Sequence, residues 1–311
     1  HIASKKYKIT TISLPNNCDD YSIFNLVAKY TTPLLPSFKK NGEYDLAISF
    51  LTPHNIVKDK VLAKKKIAWI HTDYTKISID AESELPIWNS YDKIISISEA
   101  VTKTFTQVFP SLKNKIINIE NILSSQFIKE QAALFEPKEM LGNFAKLCSI
   151  GRFCHAKNFE NIPYIAQILK EKGVYFKWYI IGLGDTTETV ENIRKTNTND
   201  CVLLLGKKGN PYPYIAKCDI YVQPSRYEGK SVTVREAQIL CKPVVITNYP
   251  TSTSQVKNNV DGIICDIDNH EISNAIYNLL TDKKKQYQFT NHLTTHDYGN
   301  ENEVNKVYQL L

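Results

Sequence analysis

The segment CDIYVQPSRYEGKSVTVRE, residues 218–236, is the most informative part of the chain. It opens with an apolar run that predicts a short buried strand ending at Val222. A polar loop follows, and apolar side chains then recur at helical spacing until Lys242-Pro243 ends the pattern. Those apolar positions are Val234, Ala237, Ile239 and Leu240. The stretch therefore predicts a strand, a loop and a helix in that order.

The loop of this stretch brings a carboxylate to the start of the helix. Ser231 stands where a helix N-cap is favoured, and the free amides behind it would face the same crevice as Glu228. A helix N-terminus binds anions such as phosphate through those amides and through its partial positive charge. Because a nearby carboxylate can accept hydrogen bonds from sugar hydroxyls, the combination predicts a site for a nucleotide sugar.

Short apolar strands alternate with helical segments along the rest of the chain, which predicts an α/β protein with parallel, doubly wound sheets. Strands are predicted at residues 7–14, 46–50, 66–70, 93–97, 116–119, 147–150, 176–181, 202–205, 220–222, 243–246 and 262–264. Helices are predicted at residues 98–108, 158–172, 186–194 and 302–310 and after Asp268.

Two domains are expected, because 311 residues allow each of them its own core. The alternation weakens between residues 126 and 145, where Pro137 and Gly142 occur, and this segment is interpreted as a linker. The first domain is expected to span residues 1–143 and the second residues 144–295. Residues 296–311 are expected to form a separate terminal helix.

Further motifs accompany the quoted stretch at suitable separations. They are SIGR (149–152) with Lys157, YIIGLG (179–184), LGKK (205–208) and NVDGII (259–264). With Glu228 and Glu236 eight residues apart, the span from Leu147 to about Leu280 resembles the retaining glycosyltransferases of family four. Each motif is weak alone, but their shared order makes the signal specific.

The resemblance implies the GT-B fold, in which two Rossmann-like domains face each other across a cleft. The first domain would bind the acceptor and the second the nucleotide sugar, and the last helix would cross back to the first domain. Family members usually begin with a strand and a glycine-rich loop. No such loop follows the strand predicted at residues 7–14, so the first domain is expected to lack its first strand–helix unit.

The resemblance also assigns roles to single residues. Catalytic roles fall to His71, Arg152, Lys157 and Glu228. Arg152 and Lys157 would hold the donor diphosphate, where fixed cations stabilise the charge of the leaving group and replace a divalent metal. Glu228 would bind the donor sugar's hydroxyls and Glu236 both ribose hydroxyls. The other donor-binding residues are expected to be Gly151, Gly182, Gly184, Lys208, Gly229, Lys230, Ser231 and Val232.

The positions of four candidates agree with these roles. His71, Arg152, Gly182 and Glu228 each follow a predicted strand, and open α/β sheets bind ligands beyond the carboxyl ends of their strands. Lys230 departs from the family, in which many members have an apolar residue at this point. Its ammonium could contact the diphosphate or an acidic sugar and so bear on donor choice.

Simpler interpretations stay open beside the functional ones. The two glutamates could be exposed acids, Arg152 and Lys157 part of a solvated loop, and His71 a packed side chain. The Asp266-Ile267-Asp268 run has the form of a metal site, but Asp268 precedes an apolar helical pattern and is better interpreted as an N-cap. Three tyrosines could stack on a base or sugar or could simply pack: Tyr212, Tyr214 and Tyr227.

Composition excludes several classes of protein. A net charge of +6 is too small to indicate nucleic-acid binding. Seven cysteines without a Cys-x-x-Cys pair favour reduced thiols over disulfides or a metal site, as in a cytoplasmic protein. No apolar run is long enough to span a membrane. Lys39-Lys40 or residues 64–66 could instead hold the protein peripherally on anionic lipid at the inner leaflet.

The sequence thus predicts a retaining glycosyltransferase that moves a sugar from a nucleotide-diphosphate sugar to a glycan or lipid-linked glycan, without metal or cofactor and by a front-face mechanism. GLG at residues 182–184 lacks the third glycine of a dinucleotide site, so a dehydrogenase is not favoured. Three alternatives remain, namely a nucleotide-sugar epimerase, a glycan phosphorylase and a non-catalytic nucleotide-sugar-binding subunit.

Overall fold

The computed structural model describes residues 20–75 and 77–311, so the strand predicted at residues 7–14 lies outside the described residues. The chain divides into two compact units. One ends at Ile119 and takes in Leu311, and the other spans Glu120–Leu310. The domain boundary expected after residue 143 thus falls inside the second unit, because Ile128 and Met140 are buried there and Met140 joins the second unit's core.

The described part of the first unit contains one parallel sheet of four strands in consecutive order. The strands are β1 (Tyr44–Ser49), β2 (Ala63–Ile70), β3 (Lys93–Ser96) and β4 (Ile116–Asn118). Its helices are α1 (Asp20–Thr31), α2 (Asn55–Lys60), α3 (Ala81–Asn89) and α4 (Glu99–Val108). Ile67, Ala68, Ile94 and Ile95 are fully buried, as expected of central parallel strands covered on both faces.

The second unit contains a six-stranded parallel sheet in the order β10-β9-β8-β5-β6-β7. The strands are β5 (Ala145–Ile150), β6 (Phe176–Ile181), β7 (Val202–Gly206), β8 (Ile220–Gln223), β9 (Val244–Thr247) and β10 (Gly262–Cys265). The helices are α5 (Ser125–Ala132), α6 (Ile162–Glu171), α7 (Thr187–Lys195), α8 (Tyr212–Lys217), α9 (Val232–Ile239), α10 (Asn269–Thr281), α11 (Lys283–Thr295) and α12 (Val304–Tyr308).

The strand order makes the second sheet doubly wound. The chain starts at the centre with β5, moves outward through β6 and β7, and then returns to the other side of β5 with β8, β9 and β10. Alternate side chains of the strands fill two separate cores. Trp178 and Ile220 pack with α6 and α10 on one face, while Tyr179 and Tyr221 pack with α8 and α9 on the other.

Three helices of the second unit were not predicted, namely α5, α8 and α11. The segment interpreted as a linker contains α5, which Ser124 caps by accepting a hydrogen bond from Phe127 N at 3.2 Å. It shows little periodicity because Ile128 alone is fully buried in it. The sequence of α11 is likewise mostly polar and shows no clear helical pattern, because this helix buries only Phe289 and Leu293. The linker prediction was therefore wrong for α5.

The last helix, α12, is shorter than the range predicted for it. Its predicted crossing onto the first domain stays a prediction. Nowhere in residues 20–75 and 77–311 does a helix combine the length and the apolar character needed to cross a membrane.

Candidate functional site

Three loops of the second unit leave neighbouring strands at the same edge of the sheet. Arg152 follows β5, Gly182 follows β6 and Glu228 follows β8, and β5 lies between the other two strands. The strand order reverses between β5 and β8, and open α/β sheets bind their ligands at such a reversal. The prediction that these three residues follow the ends of strands is confirmed. In the structure all three loops lie at this edge of the sheet.

Close contact between the loops after β5 and β6 explains two of the predicted glycines. A Cβ on Gly182 would lie 1.7 Å from the carbonyl oxygen of Gly151, so no side chain fits there. Gly184 has φ +132°, and a Cβ there would lie 2.6 Å from the carbonyl oxygen of Phe153. These glycines let the two loops touch, while their predicted contact with the donor stays a prediction.

Lys157 and Glu228 form an ion pair across the strand reversal. Lys157 Nζ lies 2.6 Å from Glu228 Oε1, and the two side chains are only 18% and 11% exposed. A second link joins the same loops, since Arg226 Nη1 lies 2.5 Å from Glu160 Oε1 and Arg226 N donates to the Ala156 carbonyl at 2.8 Å. Two predicted site residues are thus held together by the fold.

Every hydrogen bond that a described side chain donates to the Glu228 carboxylate reaches the same oxygen, Oε1. Besides Lys157, Oε1 accepts from Ser225 Oγ at 2.6 Å and from Gln223 Nε2 at 3.4 Å. No residue that the structure describes donates to Oε2. The carboxylate is therefore oriented through one oxygen, and the other can accept hydrogen bonds from a ligand.

Glu236 lies inside α9 and is 8% exposed, so it is not the exposed helix acid that remained an alternative. Tyr212 donates to Glu236 Oε1 at 3.1 Å, and Oε2 accepts from no described residue. Burial raises the pKa of the Glu236 carboxyl, and the Tyr212 hydrogen bond opposes this shift. Tyr212 therefore orients the carboxylate, which is a different role from the base stacking considered for it.

Ser231 occupies the N-cap position of α9, as predicted, but its side chain makes no capping hydrogen bond. Its backbone is held by Gln255 instead: Ser231 N donates to Gln255 Oε1 at 2.9 Å and Gln255 Nε2 donates to Ser231 O at 2.8 Å. Because the serine hydroxyl does not cap the helix, the first amides of α9, beginning at Val232, are not satisfied by it and can meet an anion.

The other predicted cations differ in their partners. Lys230 Nζ lies 2.5 Å from Glu120 Oε1, and Lys208 Nζ lies 3.3 Å from Glu139 Oε1. Arg152 is exposed, and no hydrogen bond or ion pair joins it to another described residue. Arg152 is thus available to an anion. Lys208 instead contacts Glu139 and Tyr214, and no contact among the described residues joins it to Glu228.

His71 follows β2 in the first unit. Its ring lies 4.4 Å from that of Phe50, and its Nε2 atom is buried without a hydrogen-bond partner among the described residues. Burial lowers the pKa of His71, so the imidazole is neutral at pH 7. Asp73, two residues after His71, accepts from Thr75 N at 2.9 Å and from Thr75 Oγ1 at 2.7 Å and so shapes a turn.

Asp268 caps α10, as the sequence predicted. Its Oδ1 atom accepts from His270 N at 2.8 Å and from Glu271 N at 3.1 Å. The structure shows no cluster of three or more His, Cys, Asp or Glu side chains suited to a metal ion within the ranges it describes. The Asp-x-Asp run therefore has a structural explanation.

Sequence reasoning missed Ser225, Gln223, Gln255 and Glu120. The first two orient Glu228, Gln255 holds the loop before α9, and Glu120 binds Lys230. Ser225 and Gln223 lie within residues 218–236. Their short distance from Glu228 along the sequence was the only feature that could have identified them. Gln255 and Glu120 are distant in sequence and belong to no motif.

Comparison with known proteins shows the family to which the chain is similar. Residues 131–294 match the family model described as glycosyl transferases group 1. An uncharacterized glycosyltransferase of Haemophilus influenzae is 26% identical over 225 residues, which are 71% of this chain and 61% of that protein. The poly(ribitol-phosphate) alpha-N-acetylglucosaminyltransferase of Staphylococcus aureus is 26% identical over 168 residues, 52% of this chain and 32% of the enzyme.

Solved structures show the same fold. HepE of Anabaena, crystallised with UDP and glucose, superposes with a TM-score of 0.70 at 15% identity and covers 86% of this chain and 78% of its own. A mutant of S. aureus TarM, in complex with Fondaparinux, alpha-GlcNAc-glycerol and UDP, gives a TM-score of 0.67 at 19% identity and covers 92% of this chain and 58% of its own.

The chain belongs to the glycosyl transferases group 1 family and has the GT-B fold, which confirms the resemblance to family four. It spans between about a quarter and three fifths of the length of the first curated relatives it matches.

Proposed function

We propose that the protein transfers a sugar, with retention of configuration, from a nucleoside-diphosphate sugar to a glycan or lipid-linked glycan. The observation that carries this proposal is the pair of oriented carboxylates. Glu228 and Glu236 each have one oxygen held by the protein and one that no described residue occupies. Carboxylates with a free oxygen suit the hydroxyls of a sugar and a ribose. UDP is the first nucleotide to test, because it occupies the solved HepE and TarM structures.

The residues suggest how the transfer would proceed. Arg152 and the amides at the start of α9 would hold the diphosphate. Lys157 would add its positive charge, whether or not its ion pair with Glu228 stays intact. As the bond between the anomeric carbon and the phosphate oxygen breaks, charge grows on that oxygen and the cations stabilise it. The acceptor hydroxyl attacks the same face of the sugar, and its proton passes to the departing phosphate oxygen. No protein nucleophile is needed.

A nucleotide screen tests this function most directly. UDP, GDP and ADP are added to the chain, and thermal protection is measured, because a ligand that binds only the folded state raises the melting temperature. UDP-sugars are then tested for release of UDP, and nuclear magnetic resonance reads the anomeric configuration of the product. Protection by a nucleoside diphosphate with retained configuration supports the proposal. Binding without any turnover would indicate the non-catalytic subunit, and no binding would refute both.

Peripheral attachment to anionic membranes is a separate part of the proposal. Phe38 is 47% exposed, Leu34 is 84% exposed, and the neighbouring Lys39 and Lys40 are also exposed. Apolar and basic side chains on one short segment can insert into an interface and bind acidic headgroups. Sedimentation with vesicles containing phosphatidylglycerol, compared with pure phosphatidylcholine, tests it, and a double change of Lys39 and Lys40 to Gln should weaken the binding.

A further inference from the structure

Lys230 links the loop before α9 to the beginning of the second unit. Its Nζ atom lies 2.5 Å from Oε1 of Glu120, and its side chain is only 12% exposed while that of Glu120 is 39% exposed. Lys230 follows Gly229 directly and stands two residues before α9. A cation in this place would meet a diphosphate at the start of α9, yet here its charge is neutralised by Glu120.

Glu120 is itself attached to the C-terminal segment, residues 297–303. Glu120 N donates to Glu303 Oε2 at 3.2 Å. Three residues on, Leu123 N donates to Asn300 Oδ1 at 2.8 Å and Asn300 N donates to the Leu123 carbonyl at 3.1 Å. Ser125 continues the contact, since its N donates to Glu301 Oε1 at 2.8 Å. The backbone around Glu120 is therefore joined to the C-terminal segment by several hydrogen bonds.

A second cation lies within the electrostatic reach of Glu120. Arg235, in α9, is half-buried, and its guanidinium stands 5.3 Å from the centre of the Tyr298 ring in the C-terminal segment. Burial lowers the pKa of Arg235, and the charge of Glu120 opposes that shift. Lys230, Arg235 and Glu120 also line one small pocket. If Lys230 moved away from Glu120, the positive charge of Arg235 would compensate the Glu120 carboxylate. No unpaired charge would then remain in the pocket.

We propose that Glu120 is a positioning residue that holds Lys230 until the donor binds, and that Lys230 then exchanges Glu120 for the donor diphosphate. This proposal rests on the proposed function, because it requires a nucleoside diphosphate at the start of α9. The exchange sets the affinity for the donor, since each bound diphosphate must first displace the Glu120 carboxylate. It also makes residues 297–303 respond to the donor. The Glu120 side chain turns towards Arg235, whose guanidinium contacts Tyr298, while the Glu120 backbone stays bonded to Glu303.

The alternative is a purely structural ion pair, and the two explanations predict opposite effects for one substitution. If Glu120 competes with the diphosphate, E120Q should tighten UDP binding by about threefold, because a competing pair of modest strength is removed. If the pair only supports the loop, E120Q should weaken UDP binding or leave it unchanged. K230M should weaken UDP binding by about tenfold or more through loss of a charge-assisted bond. In the K230M background, E120Q should have no further effect.

The test measures UDP affinity by isothermal titration calorimetry for the parent, E120Q, K230M and the double variant. Asp200→Asn serves as the matched control, because it breaks the exposed Lys170–Asp200 pair, whose 2.8 Å contact lies elsewhere in the unit. Melting temperatures close to that of the parent show that each variant is folded. Amide hydrogen exchange of residues 297–303 should change on adding UDP to the parent and should not change in K230M.

The outcomes separate the two proposals. Tighter binding by E120Q that disappears in the double variant supports the exchange. Weaker or unchanged binding by folded E120Q, in a parent that binds UDP, overturns the exchange and leaves the proposed function intact. If the parent binds none of UDP, GDP and ADP, the proposed function fails and the exchange fails with it.

Discussion

The ammonium of Lys157 lies 2.6 Å from Oε1 of Glu228, across the point where the strand order of the second sheet reverses. The pair joins the cation expected to bind the donor phosphate to the carboxylate expected to bind the donor sugar. Both side chains are mostly buried, at 18% and 11% exposure. The ion pair fixes both groups before any ligand arrives, which is the preorganisation that positioning of a reacting sugar requires.

Glu228→Ala should impair recognition of the donor sugar without impairing nucleotide binding. The variant is expected to bind free UDP about as tightly as the parent, because the Glu228 carboxylate is assigned to the hydroxyls of the sugar and not to the nucleotide. Release of UDP from a UDP-sugar should fall by roughly a hundredfold, since the anomeric carbon is no longer positioned. Steady-state kinetics and calorimetry on the same preparation measure both quantities.

The control for Glu228→Ala is Glu188→Ala, which removes an exposed glutamate from the first turn of α7 and should change neither quantity. Assignment of sugar recognition to Glu228 would have to be abandoned if the folded variant lost UDP binding or kept full turnover.

Gly182→Ala should damage the site through packing alone. The new Cβ would lie 1.7 Å from the Gly151 carbonyl, and neither backbone can retreat without moving the loop that carries Arg152. Overpacking of this kind costs about 1–3 kcal/mol or more, so both the melting temperature and UDP affinity should fall. Gly209→Ala is the matched control, because its Cβ would meet nothing within 4 Å. Equal behaviour of the two variants would contradict the close loop contact.

The sequence predicted the second sheet well, because its strands are buried on both faces and stand out as short apolar runs. Every strand predicted between residues 147 and 264 overlaps an observed one, and Asp268 caps the helix expected of it. The order of the strands was not deducible from the runs themselves. The resemblance supplied the GT-B fold and the roles of Glu228 and Glu236, and the strand order is seen in the structure alone.

The partners of the site residues could not be predicted from the sequence. Ser231 was placed correctly at the start of α9, but Gln255, 24 positions further along the chain, holds its backbone. Lys230 was expected to face the donor, and Glu120 neutralises it. These contacts depend on which loops the fold brings together, and polar loop residues show no periodicity that would indicate it. The same reason explains why α5 was taken for a linker.

Nucleotide binding should not depend on a divalent cation. Asp268→Ala removes two hydrogen bonds at the start of α10 and should cost about 1 kcal/mol of unfolding free energy, the usual worth of an N-cap. UDP affinity should stay at the parental value in this variant and also in the parent treated with EDTA. Calorimetry with and without chelator measures this, and a loss of affinity in both cases would instead assign a metal to Asp268.

Glu236→Gln should weaken nucleotide binding while relieving the native state of a buried charge. Each charge-assisted hydrogen bond lost to the ribose hydroxyls removes on the order of 1.5–3 kcal/mol of binding free energy. The free energy of unfolding of the variant at neutral pH should increase relative to the parent. Burial raises the pKa of Glu236 in the folded state above its unfolded value, so the folded protein holds the proton more tightly.

The sign of the pH dependence follows from that shift. The stability contributed by protonated Glu236 is complete below the unfolded pKa, near 4.5, and is lost as pH rises through the higher folded value. Glutamine cannot ionise, so the variant does not lose this contribution. Its melting temperature relative to the parent should therefore be higher at pH 7.5 than at pH 4, while its affinity for UDP at pH 7.5 is lower. If binding and stability at pH 7.5 fall together, general disruption of α9 explains the variant better, and Glu236 has no assigned role in ribose recognition.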